Sequence, residues 1–511
     1  NSPSTAIVHS PVSNYLNFVL LLFMCKIIGL KFKNKLMVNL LMSSAGEVRR
    51  TQLRKGAVAF WHAVFQSFSF VAPAGDVAIL LLGTAQFALG ATPLAVLLAW
   101  LIYGLWMIVP YEFSKYIVNA GSYYAYSARG HGALGVMALW YWILENITGP
   151  AFGILGLAGF LYLISPVISK IPYLWIAFAV IIWAFGFTLS YLGIRPSLEY
   201  VMYTGFAEAM FLFISALIII AMLGPRNTWV VWTPAPLKWA WAPVFFGTIF
   251  SILDFTGLGT ATTVSEEVKD PRRIIRWAVV TAWILSGLAL IVPAYALTVG
   301  WGVSQMSTYA TSPDPGLIVY YKYLGLAGWV LLVAFTINSY FSYMTAKYNA
   351  VSRIWFSSAR DGLWFKKLGM DQVHPRHRTP YKALLWFALI ILIMNIVAGV
   401  ILGPTNAGVW LLTFAGLGII AVHIVANSAL TIYSHKQGML RKEWLKHGLI
   451  PTVASILGAI VFFYSVYPLP PYPYNVAVLF SFAWLVVGVI LAIYYWKRHP
   501  EILANAGLSY E

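Results

Sequence analysis

Four acidic residues, Asp76, Glu145, Glu208 and Asp254, lie inside long apolar runs of a 511-residue chain. A charge at the centre of a bilayer costs about 2.5–3.5 kcal/mol on insertion scales, so acids in such places mark ion or substrate paths. The chemistry open to them is holding a cation or carrying a proton. Two of the four adjoin a helix-breaking sequence. Ala72, Pro73, Ala74 and Gly75 precede Asp76 in "FVAPAGD", and Asp254, Phe255, Thr256 and Gly257 stand together in "FSILDFTGLG". Proline removes a backbone donor and clashes with the preceding turn. A break within lipid leaves N–H and C=O groups that must meet protein, water or a ligand. A half-helix starting near Gly75 presents N–H groups and a positive dipole end, which suit a carboxylate. Carbonyls ahead of Asp254, with the charge of Asp254 itself, suit an ammonium. An α-amino acid satisfies both ends, whereas an amine or polyamine would use Asp254 alone. Read singly, Pro73 is an ordinary kink, and Asp254 or Thr256 is equally well a cap for a second half-helix. The pairing of the breaks is what points to transport.

The elements that position these residues are membrane spans. The chain is 60% hydrophobic and 10% charged, where soluble chains are nearer 25% charged. Its 22 Trp and 30 Tyr suit aromatic belts at the two interfaces. Apolar runs of spanning length centre on residues 57–82, 88–110, 134–164, 173–193, 199–223, 242–265, 275–300, 323–352, 381–402, 407–433, 448–467 and 474–496. The expected fold is therefore an all-α polytopic membrane protein with twelve transmembrane helices. Breaks in the first and sixth of the first ten match an inverted repeat of five plus five helices, with the binding site where the broken helices meet at the midplane. Residues 51–435 form the ten-helix transport core, and residues 436–511 add two helices and a short tail.

Lys and Arg concentrate in alternate connectors. One side carries Arg49, Arg50, Arg129, Arg272, Arg273, Arg353, Arg360, Arg441 and many others, and the opposite side only Lys170, Arg226, Lys238 and Lys322. By the positive-inside rule both ends of the twelve-helix unit are cytoplasmic, in the cell membrane. The net charge of +17 is thus explained by membrane topology and calls for no nucleic acid. A single cysteine, Cys25, excludes a disulfide framework and a cysteine-based metal site. HExxH, GxSxG, P-loop and dinucleotide-binding patterns are missing from the sequence, so no enzyme and no cofactor is expected. Residues 1–50 read as an extra helix, an uncleaved signal-like segment, or sequence upstream of a start at Met37 or Met42, and are expected to be dispensable. His62 and His423 read as satisfied core histidines, and Lys347 as pairing with an intramembrane acid or snorkelling.

Several motifs occur together and in order: "FSILDFTGLG" at 250–259, "SEEVKDPRRII" at 265–275, "AGSYYAYSAR" at 120–129, "SRIWFSSARDGL" at 352–363 and "HPRHRTP" at 374–380. In this the chain resembles the amino acid–polyamine–organocation (APC) permeases over about residues 55–435. The resemblance implies a LeuT-type fold and secondary transport of an amino acid by alternating access, within membrane lipid. It places the substrate at Ala72 to Gly75 and Phe255 to Gly257, with Phe255 as a gating aromatic. It places Glu266, Glu267, Arg272, Arg273, Arg360 and Asp361 at the cytoplasmic face, where ion pairs would hold an inner gate; solvated surface charge explains any one of them equally well. Asp254 departs from the family pattern, which is apolar or small there, and Gly259 stands where the family often has Glu. Glu208 lies near where some proton-coupled relatives carry a Lys beside a sodium-type site. It would carry the proton, bind Na+ with hydroxyls such as Ser339 and Ser342, or make a structural hydrogen bond. Asp76 and Glu145 are further coupling candidates, with Glu145 the more structural of the two. The rivals are an amine or polyamine permease and a non-transporting nutrient sensor on the same fold.

Overall fold

The computed structural model describes residues 52–508 and Tyr510; the expected status of residues 1–50 lies outside the described residues. The described residues are helical apart from turns and one isolated bridge, Val58 to Val268. The principal helices, numbered in chain order, are α1 (Phe60–Val71), α2 (Thr92–Trp106), α3 (Gly132–Thr148), α4 (Leu174–Leu192), α5 (Ile194–Leu223) and α6 (Trp241–Asp254). They continue with α7 (Pro271–Trp301), α8 (Pro315–Arg360), α9 (Tyr381–Leu402), α10 (Pro404–Lys436), α11 (Ile450–Val466) and α12 (Tyr474–Arg498).

Ten helical stretches among the described residues are long and apolar enough to cross a membrane. The expected first and sixth runs are not continuous helices, because the breaks divide them. α1 stops after 12 residues, where Ala72 turns left-handed at φ 60° and ψ 57°. Pro73–Gly75 and a π-helical turn at Asp76–Leu80 then lead to a helix at Leu81–Ala88. α6 stops after 14 residues, and a turn through Gly257, at φ 100°, delivers the chain to a 3-10 helix at Thr260–Glu267. That second half has Gly259 as its N-terminal cap and no side-chain capping bond, so neither Asp254 nor Thr256 caps it. α8 also runs beyond its apolar stretch. It is interrupted at Gly325, with φ 64°, and then continues to Arg360.

The two divided runs pack against each other half by half. α6 lies along Leu81–Ala88, while Thr260–Glu267 lies along α1. α5, α7 and α8 surround α1, and α3 packs against α10 and α12. The most apolar window of α10 is 72% buried and that of α11 only 22%, which makes α10 an inner element and α11 a lipid-facing one. Two tryptophan clasps fasten the bundle. Trp100 of α2 and Trp283 of α7 stack at 4.1 Å and exchange indole N–H to carbonyl bonds, as do Trp140 of α3 and Trp484 of α12 at 4.3 Å. Each indole thereby buries its ring while satisfying its only donor.

Candidate functional site

At the first break the backbone donors are already used. The N–H groups of Gly75 and Asp76 both reach the Ala72 carbonyl, at 3.0 and 3.4 Å. The Ala74 N–H donates to Glu208 Oε1 at 2.9 Å. The acceptor at this helix start is therefore a carboxyl supplied by α5 of the same chain. Glu208 Oε1 also accepts from the Ser339 hydroxyl at 2.7 Å, and Asn338 Nδ2 lies 3.5 Å from Oε2. Thr336 donates to the Ala74 carbonyl at 3.2 Å. One buried carboxyl thus ties α5, α8 and the first break together. Ser342 stands one turn further along α8 and pairs with Thr204 at 3.1 Å.

At the second break the N–H groups of Phe255 and Thr256 bond back to Ile252 and Leu253, at 3.3 and 3.1 Å. The Gly257 N–H donates to the Tyr103 hydroxyl at 3.2 Å. Gly257 is required for two reasons. Its φ of 100° is left-handed, and a Cβ there would lie 1.9 Å from Phe70 Cδ1.

Between the breaks is a cavity of about 100 Å³, walled by Phe70, Asp76, Glu145, Phe152, Thr256 and Tyr343 together with aliphatic side chains of α10. Of the expected substrate residues, Thr256 reaches this wall. Ala72 to Gly75 stand behind it, and a Cβ on Gly75 would meet Phe152 at 3.3 Å. Phe255 is fully buried 6.4 Å from the Tyr103 ring and does not line the cavity; Phe70, Phe152 and Tyr343 are the aromatics beside it. Asp254 lies near enough to Asp76 to interact with it electrostatically, as does Glu208. Oδ2 of Asp76, Oδ2 of Asp254 and Oε2 of Glu145 are each buried without a hydrogen-bond partner. The unpartnered oxygens of Asp76 and Glu145 on the cavity wall are therefore carboxyl oxygens.

Glu145 uses its other oxygen in an ion pair with Lys347 of α8, so the lysine pairs and does not snorkel. Lys347 is fully buried, 4.7 Å above the Phe70 ring. His423 is buried, hydrogen-bonded to Tyr103 at 3.2 Å and stacked on Trp106 at 4.7 Å. His62 is not a core histidine: it sits at the start of α1, where its Nδ1 accepts the Ala59 N–H at 3.2 Å.

The arginine-rich end of the bundle is closed by two buried ion pairs. Arg360 grips Glu266 with both terminal guanidinium nitrogens, at 2.8 and 2.7 Å, and Glu266 also accepts the Ala120 N–H at 2.8 Å. Arg353 holds Glu267 at 2.5 and 3.2 Å. Asp361 accepts from the Tyr124 hydroxyl at 2.8 Å. Arg272 and Arg273 are exposed on the first turn of α7 and take no part in these two pairs. Sequence reasoning missed Arg353, Asn338 and Tyr103 as site residues. Only Arg353 carried a signal, since it lies in the motif "SRIWFSSARDGL".

A bundle of apolar helices with two broken runs and an acid-lined cavity between them describes a multi-pass helical membrane protein. The amino acid permease family model matches residues 62–503, and the chain belongs to that family, within the APC superfamily. It is similar to the branched-chain amino acid permease BcaP of Bacillus subtilis, with 21% identity over 332 residues, 62% of this chain and 65% of that protein. It is also similar to the low-affinity putrescine importer PlaP of Escherichia coli, with 23% identity over 269 residues, 51% of this chain and 57% of that protein. The matched region spans roughly three fifths of each relative's length.

Proposed function

We propose that the chain is a secondary active transporter for a small substrate bearing an ammonium group, an amino acid or an amine, moved together with protons. In this reading the fold is the twelve-span, five-plus-five inverted repeat, with residues 51–435 as the transport core and the arginine-rich end in the cytoplasm. The observation that carries it is the pair of unpartnered carboxyl oxygens of Asp76 and Glu145 on the wall of the cavity between the two breaks, with a third, that of Asp254, buried in the second break. Buried carboxylates are stable only when paired, and an entering ammonium pairs them. Glu208 is the coupling group. Ionised, it holds the Ala74 N–H; protonated, it grips that donor more weakly and loosens the first break from α8.

The two substrate types make different demands on the site. A zwitterion would compete with Glu208 for the Ala74 N–H, which ties its carboxylate to the state of Glu208. An amine makes no such demand, and the occupied N–H favours that second reading. Purified protein in sealed liposomes decides between them. With a single tracer, unlabelled amino acids and amines are screened as competitors, first under an inward pH gradient and then under an inward Na+ gradient. Accumulation driven by protons alone supports the reading. Accumulation only with sodium makes Glu208, Ser339 and Ser342 a cation site instead. Binding with neither uptake nor exchange identifies a sensor.

A further inference from the structure

We infer that Ala506 to Leu508 and Tyr510 form a strap that holds the arginine-rich gate shut, with Gly507 and Tyr510 as the residues that position Arg360 and Asp361. The inference rests on the part of the proposed function that makes the Arg360–Glu266 pair a gate.

The strap begins where α12 ends. A short helix at Pro500–Asn505 turns the chain back, and Leu503 packs so closely that a Cβ on Gly132 would lie 2.7 Å from it. Ala506 is buried. Gly507 adopts φ 71°, and a Cβ there would lie 2.4 Å from the Ala125 carbonyl oxygen, so the position admits only glycine.

From that point the strap bonds to both sides of one seam. On the α8 side the Gly507 N–H donates to Asp361 Oδ2 at 2.9 Å, and the Tyr510 hydroxyl lies 3.5 Å from Oδ1. The Arg360 guanidinium sits 3.4 Å from the centroid of the Tyr510 ring, with the Phe356 ring at 5.0 Å. On the other side, in the segment after α2, the Tyr510 N–H donates to the Val118 carbonyl at 2.7 Å, and Asn119 Nδ2 donates to the Leu508 carbonyl at 2.7 Å. The seam between these partners is also bridged directly. Ser357 donates to Asn119 at 2.6 Å, Tyr124 donates to Asp361, and the Ala120 N–H donates to the Glu266 oxygen that Arg360 also binds.

The geometry sets a condition on gating. A guanidinium paired to a carboxylate in its plane presents its flat face to an aromatic ring without losing either interaction. Tyr510 therefore clamps Arg360 in the orientation that grips Glu266 with both nitrogens. Opening a path from the cavity to the arginine-rich end requires α8, the segment at 118–125 and Glu266 to part. The strap is bonded to both sides of that seam, so it has to leave first.

The test uses the full chain in inside-out vesicles. Cys25, the only cysteine, is replaced by Ser, and a reporter cysteine replaces the buried Thr263 on the 3-10 segment below the cavity. Labelling by a membrane-impermeant maleimide then measures how often the gate is open. Tyr510→Ala and Gly507→Val, which disrupt the strap at separate points, are each expected to raise the labelling rate by roughly tenfold, between the scales of an exposed and a desolvated cation–π contact. Tyr510→Phe keeps the ring under Arg360 and gives up only the 3.5 Å hydroxyl contact, so it should label like the parent. A merely structural tail would not show this rescue. Arg360→Gln separates the two ideas. If it raises labelling while Tyr510→Ala and Gly507→Val do not, the gate stands and the strap is overturned. If none of the three changes labelling, both are overturned.

Discussion

Replacing Glu208 by Gln removes a charge with almost no change of shape, and the hydrogen bonds around the carboxyl set the cost. The carboxylate accepts two short bonds, from Ala74 N–H at 2.9 Å and the Ser339 hydroxyl at 2.7 Å. A neutral hydrogen bond contributes about 1 kcal/mol net and a charge-assisted one roughly twice that, so removing the charge from both costs about 2 kcal/mol. The amide adds a conflict of donors. With its oxygen kept towards Ala74 and Ser339, its NH2 faces Asn338 Nδ2. Asn338 cannot flip without cost, because its Oδ1 already accepts the Tyr200 hydroxyl at 2.9 Å. The combined loss of about 2–3 kcal/mol shifts the equilibrium between a tied and a loosened first break by roughly 30- to 150-fold.

The assay compares two fluxes in the same liposomes. Gradient-driven accumulation needs a group that gains and loses a proton, and Gln does neither. Counterflow at equal pH needs only binding and the conformational change. Glu208→Gln should therefore abolish accumulation under an inward pH gradient while counterflow persists with an altered KM. If the variant accumulates substrate to the parental level under the pH gradient, Glu208 is a structural tie between α5, α8 and the first break, and the coupling group lies elsewhere.

Three further outcomes are expected. Asp254→Asn removes the only charge in the second break, and competition profiles should shift against ammonium-bearing substrates; identical profiles across amino acids and amines would remove Asp254 from substrate recognition. Gly257→Ala adds left-handed strain of about 1–2 kcal/mol to a clash with Phe70, and uptake should fall by more than about tenfold. Partial recovery in Gly257→Ala with Phe70→Ala would tie that loss to the Phe70 contact, and no recovery would assign it to the backbone alone. Arg353→Met leaves Glu267 buried without its partner, at a cost of about 3–5 kcal/mol, and should lower the Tm in detergent. Adding Glu267→Met should restore most of it, since an apolar pair replaces a desolvated ionic one; a double variant as unstable as the single would show that the pair itself stabilises the closed end.

The parts legible in the sequence are those where composition alone dictates structure. Pro73 with Gly75 marks the first break, although a proline alone would not, since Pro293 sits inside the unbroken α7; Gly257 permits a turn at φ 100° that no other residue would make. Apolar runs of spanning length specify the long helices directly. Which groups meet across the bundle was not legible. The free N–H groups expected at the first break depend on what faces them, and Glu208, more than 130 positions further along, satisfies one of them. Phe255 was placed beside the substrate by position, but the turn after α6 sends its ring into the core.

One signal was available and unused, and it organises the site. Ser339, Tyr343 and Lys347 recur every four residues, which places them on one face of α8. In the structure that face contacts Glu208 at Ser339, walls the cavity at Tyr343 and holds Glu145 at Lys347. The same helix then carries Arg353 and Arg360, which close the arginine-rich end. The α8 partners of the proposed coupling acid, of the cavity and of the proposed gate are therefore three stations along a single helix. A change at Glu208 that frees Ser339 need not travel through a diffuse network to reach the gate. A shift of α8 along its axis moves all three stations at once, and the strap at Gly507 and Tyr510 resists that shift at the helix's far end.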